Sequence, residues 1–142
     1  MVYGLIVTHG ALGRELLNAA NRIEGPLEGV EAVCLDWDEP VADVHQRIQE
    51  ALSRVPADAE VIIFTDMFGG TPSNLSISFL QRGKVEIVTG VNLPMVVKFG
   101  SQNRTNGNAP LLAKQICEKG ARAIRVASNL LAGESDGPEE SE

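Results

Sequence analysis

Four short apolar runs recur along the first 90 residues, at residues 2–8, 29–37, 59–66 and 84–90, and helical periodicity follows them. Continuous apolar runs of this length are typical of strands that are buried on both faces. Strands that alternate with helices at a spacing of about 30 residues indicate βαβ units. Since right-handed crossovers place helices on both faces of such a sheet, the sequence predicts a doubly wound α/β fold with a mainly parallel sheet.

Proline and glycine mark the predicted ends of several helices, because proline fits the first helical turn and glycine adopts the backbone angles that end a helix. A fifth strand is predicted at an edge of the sheet, over residues 121–128. The predicted limits are Gly25-Pro26 for the end of the first helix, Pro40 for the start of the second, Pro72–Leu80 for the third, and Pro110–Lys119, ended by Gly120, for a later helix.

The length of 142 residues predicts a single domain, which we assign to residues 1–130, followed by an acidic, disordered tail over residues 131–142. Five of the 19 acidic residues follow Gly133, so the rest of the chain keeps 14 acidic against 12 basic residues. A nearly neutral body with scattered basic residues does not favour a nucleic-acid partner.

The chain is predicted to be cytoplasmic and not inserted in a membrane. No apolar run approaches the ~20 residues that span a bilayer, and the first seven residues lack the basic segment of a signal peptide. Cys34 and Cys117 form no CxxC pair, and we expect both to be reduced packing residues.

His9 stands where the first predicted strand gives way to a glycine, Gly10. Three interpretations are open for such a histidine: a packed core residue, a metal ligand, or a nucleophile at the edge of the sheet. Ligands of open α/β sheets bind beyond the carboxyl ends of the strands, which favours a functional role. The other histidine, His45, lies in the middle of a predicted helix and is interpreted as an exposed helical residue.

Asp66 ends the third strand and is predicted to lie at the same edge of the sheet as His9. Its carboxylate either caps the following turn or accepts a hydrogen bond from one nitrogen of the His9 ring. The second arrangement leaves the other ring nitrogen unprotonated and nucleophilic.

The segment "GGTPSN", residues 69–74, is predicted to begin a helix, with Thr71 as the N-cap and Pro72 at the first helical position. A helix start flanked by glycines and hydroxyl groups is either an anion site or only a well-capped helix. A later loop, with Asn92 and Pro94, is predicted to frame the same crevice or an interface. Neither a metal site nor a cofactor is predicted, because the His and Cys spacings fit no metal site and no GxGxxG, P-loop or GxSxG motif is present.

Three motifs in order, "IVTHG", "FTDMFGGTPSN" and "TGVNLPM", resemble the mannose-family enzyme IIA of the bacterial phosphoenolpyruvate:sugar phosphotransferase system. The resemblance covers roughly residues 1–130 and implies a doubly wound α/β domain that forms a homodimer. It also implies a phosphate relay, in which a histidine accepts a phosphoryl group from HPr and donates it to an enzyme IIB. Because the chain ends in the acidic tail, the resemblance implies either a IIB acceptor on a separate chain or no IIB acceptor.

The resemblance implies a role for each matching residue. His9 is the phosphorylated residue, Asp66 orients its ring, and the residues expected around the phosphoryl group are Gly10, Gly70, Thr71, Ser73 and Asn74. A related relay subunit that serves dihydroxyacetone kinase shares the first histidine but lacks the "FGGTPSN" pattern. Two other functions stay open: a regulatory module that responds to phosphorylation of His9 without sugar transport, and an enzyme that uses His9 and Asp66 as an acid–base pair on a small molecule.

Overall fold

A computed structural model describes residues 1–133 of the chain. Strands and helices alternate as the sequence predicts over the first four strands. The elements are β1 (Val2–His9), α1 (Leu12–Glu24), β2 (Val30–Leu35), α2 (Val41–Ser53), β3 (Glu60–Thr65), α3 (Thr71–Ile77), β4 (Val85–Val88), α4 (Leu93–Gln102), α5 (Ala109–Arg122) and α6 (Ala127–Leu131).

The four strands form one parallel sheet in the order β2-β1-β3-β4. From β1 the chain first adds β2 on one side and then β3 on the other, so the strand order reverses between β1 and β3. In the register of the sheet, Val7 of β1 lies beside Val33 of β2 and Thr65 of β3. The carboxyl ends of β1 and β3 therefore meet at the reversal point, where open α/β sheets bind ligands.

Helices cover both faces of the sheet, which confirms the doubly wound fold and its single domain. One core forms where α1, α4 and α5 pack on the face that carries Ile6 and Phe64. A second core forms where α2 and α3 pack on the face that carries Val7 and Ile63. Neighbouring residues of a strand point to opposite faces, so β1 and β3 contribute to both cores.

The predicted fifth strand over residues 121–128 is wrong. Helix α5 continues to Arg122, and a short helix, α6, begins at Ala127. Gly120 does not end α5 but lies buried within it, where a Cβ atom would approach Met95 to 2.5 Å. The glycine allows close packing of α5 against α4, and residues 121–128 pair with no strand in the described part of the chain.

The other elements lie close to their predicted limits. Gly25 follows α1 with a positive φ of 94°, and Pro40 directly precedes α2. The third helix is shorter than predicted and ends at Ile77. Of the predicted tail, residues 134–142 lie outside the described residues, and Leu131 is the last residue of α6.

None of the helices between residues 1 and 133 has the length and apolar character needed to cross a membrane. Both cysteines are free thiols. Cys34 is buried, whereas Cys117 is exposed, so only the first fits the prediction of a packing residue.

Candidate functional site

His9 and Asp66 meet at the reversal point of the sheet, because His9 ends β1 and Asp66 directly follows β3. The His9 Nδ1 atom lies 2.7 Å from Oδ2 of Asp66. The same oxygen accepts the backbone N–H of His9 at 2.9 Å, and Oδ1 accepts the N–H of Met67 at 3.0 Å. Backbone donors from both strand ends thus fix the carboxylate independently of its contact with the ring.

This arrangement determines which nitrogen of His9 carries the proton. An ionised carboxylate only accepts hydrogen bonds, so the 2.7 Å contact places the proton of a neutral ring on Nδ1. The lone pair is then on Nε2, which has no hydrogen-bond partner among residues 1–133. The His9 side chain is 27% exposed, against 11% for Asp66. The pair therefore presents a nucleophilic nitrogen toward solvent and keeps the carboxylate behind it.

Gly10 turns the chain out of β1. Its φ of 53° lies in the left-handed region that favours glycine, and its N–H donates to the carbonyl of Leu35 at 2.9 Å. The hydroxyl of Thr8 accepts the N–H of Gly13 at 2.7 Å and so fixes the start of α1. These two bonds hold the strand end that carries His9.

Gly70 approaches the edge of the His9 ring most closely among the glycines of this loop. A Cβ atom at Gly70 would lie 3.0 Å from Cε1 and 3.5 Å from Nε2 of His9. Gly70 has an ordinary φ of −84°, so the backbone does not require glycine there. The absence of a side chain leaves room beside Nε2.

The prediction that Thr71 is the N-cap of α3 is wrong. Gly70 occupies the cap position, no side chain caps the helix, and Thr71 is the first helical residue. Thr71 instead lines the cleft beside His9. The backbone N–H of Asn74 donates to the Gly70 carbonyl at 2.9 Å, which already closes the first turn.

Ser73 and Asn74 lie on the same turn but in different environments. Ser73 is fully buried, and its hydroxyl has no hydrogen-bond partner among the described residues. The Asn74 side chain is exposed and donates to the carbonyl of Gly69 at 3.4 Å. The structure thus places Gly70 and Thr71 beside the His9 ring, and Ser73 and Asn74 further along the same first turn of α3.

A cleft of about 100 Å³ opens beside His9, between Thr71 and Trp37. A larger open depression of about 550 Å³ adjoins it on the other side of Trp37, lined by Gly10 and Arg14 but not by His9. Small-molecule pockets commonly enclose ~300–1,000 Å³, so the cleft at His9 is small for a bound metabolite.

Trp37 is the site residue that the sequence did not reveal. The apolar run over residues 29–37 predicts that Trp37 ends the second strand, but β2 ends at Leu35 and Trp37 lies in the following loop. Its ring stacks on His9 with a centroid separation of 5.4 Å and an interplanar angle of 22°. The available signal was a single tryptophan directly after a strand whose carboxyl end faces the same crevice.

Asn92 has a structural task. Its side chain caps α4 by accepting the N–H of Met95 at 3.1 Å, and donates to the carbonyl of Gly120 in α5 at 3.1 Å.

The second histidine, His45, stacks on Phe79 with a centroid separation of 4.7 Å and an interplanar angle of 28°.

No group of three His, Cys, Asp or Glu side chains that would suit a metal ion occurs within the described range, 1–133.

The fold and the site together define a small α/β domain with a histidine–carboxylate pair at the reversal point of a parallel sheet. A family model, EIIA-man, described as the fructose IIA component of the phosphotransferase system (PTS), matches residues 4–117. The chain belongs to this family of PTS EIIA components.

Curated relatives agree with this family. The chain is 29% identical over 99 residues to a fructose-specific EIIA component of the PTS from Bacillus subtilis, over 69% of this chain and 68% of that protein. It is 26% identical over 95 residues to the mannose-specific EIIAB component from Escherichia coli K12, over 66% of this chain but 29% of the relative. The chain thus matches less than a third of the length of the E. coli protein.

Solved structures share the fold. The EIIA component from Streptococcus agalactiae superposes with a TM-score of 0.81 at 23% identity, over 91% of this chain and 99% of that one. The mannose/sorbose-specific IIA subunit from Enterococcus faecalis gives a TM-score of 0.80 at 20% identity, over 98% of both chains.

Proposed function

We propose that this chain is a phosphocarrier that accepts a phosphoryl group from HPr on Nε2 of His9 and donates it to an enzyme IIB. The observation that carries the proposal is the 2.7 Å contact between His9 Nδ1 and Asp66 Oδ2, which leaves Nε2 open. Membership of the EIIA family supports a role in phosphoryl transfer within the PTS. The small cleft favours a protein that presents its phosphoryl group over an enclosed small molecule.

The transfer is a substitution at phosphorus. The lone pair of Nε2 forms the new N–P bond while the bond between phosphorus and the donor atom of HPr breaks, and that electron pair stays with HPr. The ring becomes more positive as the bond forms, and the Nδ1–H bond to the Asp66 carboxylate stabilises that charge. Donation to enzyme IIB reverses these changes, so His9 returns to its neutral form.

The residues proposed around the phosphoryl group are Gly10, Gly70, Thr71, Ser73 and Asn74. Gly70 and Thr71 adjoin the ring and the cleft. Backbone N–H groups in the first turn of a helix lack intrahelical acceptors and suit the oxygens of a phosphoryl group. The hydroxyl of Ser73 is buried on this turn without a partner in the described structure, which makes it a candidate donor to a phosphoryl oxygen.

The same proposal places the chain in the cytoplasm as a homodimer. Large apolar side chains near the end of the described chain support an interface between copies. Ile124 is 68% exposed and Leu131 is 89% exposed.

The test is incubation of the wild-type protein with phosphoenolpyruvate, enzyme I and HPr. We expect one acid-labile, alkali-stable phosphate on each chain, since a P–N bond has that stability. Omission of HPr is expected to abolish the labelling. Absence of labelling in the complete mixture contradicts the proposal.

Gly70→Ala is expected to slow phosphorylation roughly tenfold, because displacements of a fraction of an ångström at a reacting atom are costly. The added Cβ would contact Cε1 of His9 at 3.0 Å and displace the ring or the loop. Initial rates of labelling measure the effect. Gly107→Ala is the matched control, because a Cβ there meets no atom within 4 Å, and its rate should equal that of the wild type.

A further inference from the structure

Trp37 is the only tryptophan of the chain, and it is 79% exposed although it stacks on the His9 ring. Burial does not explain its position, because most of its surface remains in solvent. One face of the indole covers His9 and adjoins Gly10, where a Cβ would lie 3.7 Å from the indole nitrogen. Within residues 1–133, the imidazole of His9 is the one ring on which Trp37 stacks.

The loop that carries Trp37 is braced by Glu39. The Oε1 atom of Glu39 accepts the N–H of Asp36 at 3.2 Å and lies 2.6 Å from Nη1 of Arg47. The N–H of Glu39 in turn donates to the carbonyl of Asp36 at 3.1 Å. Hydrogen bonds thus close the turn on both sides of Trp37. They fix the backbone position from which the indole extends to His9.

The indole restricts a motion that Asp66 leaves open. The hydrogen bond to Asp66 fixes the Nδ1 edge of the ring but allows the imidazole to tilt about that contact. A stacked aromatic face opposes this tilt, and Gly70 borders the ring at Cε1, the carbon between the two nitrogens. Together the three contacts restrict the orientation of the ring and so the direction of its Nε2 atom.

We propose that Trp37 is a positioning residue for phosphoryl transfer at His9, which acts by holding the imidazole plane in the orientation that exposes Nε2. This inference rests on the proposed function of His9. A residue that orients the nucleophile contributes to the chemical step, so its loss lowers kcat. A residue that only docks the phosphorylated donor contributes to KM.

The kinetic test compares Trp37→Leu with Trp37→Phe, with HPr as the phosphoryl donor. Trp37→Leu is expected to lower kcat by roughly three- to tenfold with a smaller change in KM, a range set by the usual strength of aromatic pairs. Trp37→Phe keeps an aromatic face and should stay within about twofold of the wild type. Leu111→Ala, which truncates an exposed side chain of α5 outside the cleft, is the control and should leave both constants unchanged.

The second measurement needs no phosphoryl transfer. The indole ring current shifts the Cδ2 and Cε1 protons of His9, and NMR of the unphosphorylated protein should show this shift in the wild type, in part in Trp37→Phe, and not in Trp37→Leu. Unchanged His9 proton shifts in Trp37→Leu, or a change confined to KM, would overturn the positioning role while His9 phosphorylation stands. A wild-type chain that takes up no phosphate overturns the proposed function and this inference with it.

Discussion

His9→Ala is expected to take up no acid-labile phosphate from phosphoenolpyruvate, enzyme I and HPr, even at long incubation times. The substitution removes Nε2, and among residues 1–133 no other ring nitrogen with a free lone pair lies at the site to replace it. Asp66 keeps its two backbone donors, the N–H groups of residues 9 and 67, so its carboxylate stays satisfied and the fold should persist. Radiolabelling with acid and alkali treatment measures the uptake, and circular dichroism checks the fold.

His45→Ala is the matched control, because the chain contains only two histidines. His45 lies in α2 against Phe79 and is not among the residues that line the cleft. Its replacement should leave labelling at the wild-type level. Equal labelling of His9→Ala and the wild type would show that the phosphate resides elsewhere and would exclude the relay through His9.

The fold was predictable from the sequence where burial determines the pattern of apolar residues. The four apolar runs fall on β1 to β4, because strands buried on both faces need continuous apolar residues. Prediction failed at residues 121–128, where a short segment that ends in Val126 and Ala127 was expected to form an edge strand. A strand requires a neighbour for its hydrogen bonds, and a local pattern does not reveal whether one exists.

The His9–Asp66 pair of the candidate site was predictable from the sequence, whereas the residues around the pair were less predictable. His9 and Asp66 stand next to strand ends in the chain, and parallel pairing brings those ends together. Trp37 depends on how the loop after β2 folds back, which is determined by side-chain bonds of Glu39 that the sequence does not show. The N-cap of α3 was predicted at Thr71, one residue after its actual position at Gly70, because glycine and threonine are both acceptable at an N-cap.

Asp66→Asn is expected to slow phosphorylation of His9 by roughly 10²- to 10⁴-fold, the range seen when a carboxylate that orients a histidine becomes an amide. An amide can donate as well as accept, so its NH₂ group can face the ring and favour the proton on Nε2, the reacting atom. The amide also lacks the negative charge that stabilises the ring as the N–P bond forms. Both effects act on the transfer step, so the loss should be greatest in single-turnover rates.

The tautomer of His9 gives a second measurement on the same variant. Nitrogen NMR of the neutral ring should place the proton on Nδ1 in the wild type, as the 2.7 Å contact with Oδ2 requires, and shift it toward Nε2 in Asp66→Asn. Asp58→Asn removes one negative charge from the loop between α2 and β3 and should change neither the tautomer nor the rate. An unchanged tautomer together with a slow rate would assign the effect to charge alone, whereas an unchanged rate would remove Asp66 from the mechanism. In the proposed mechanism the carboxylate behind His9 contributes both orientation and charge balance to the ring, and the variant separates these two contributions.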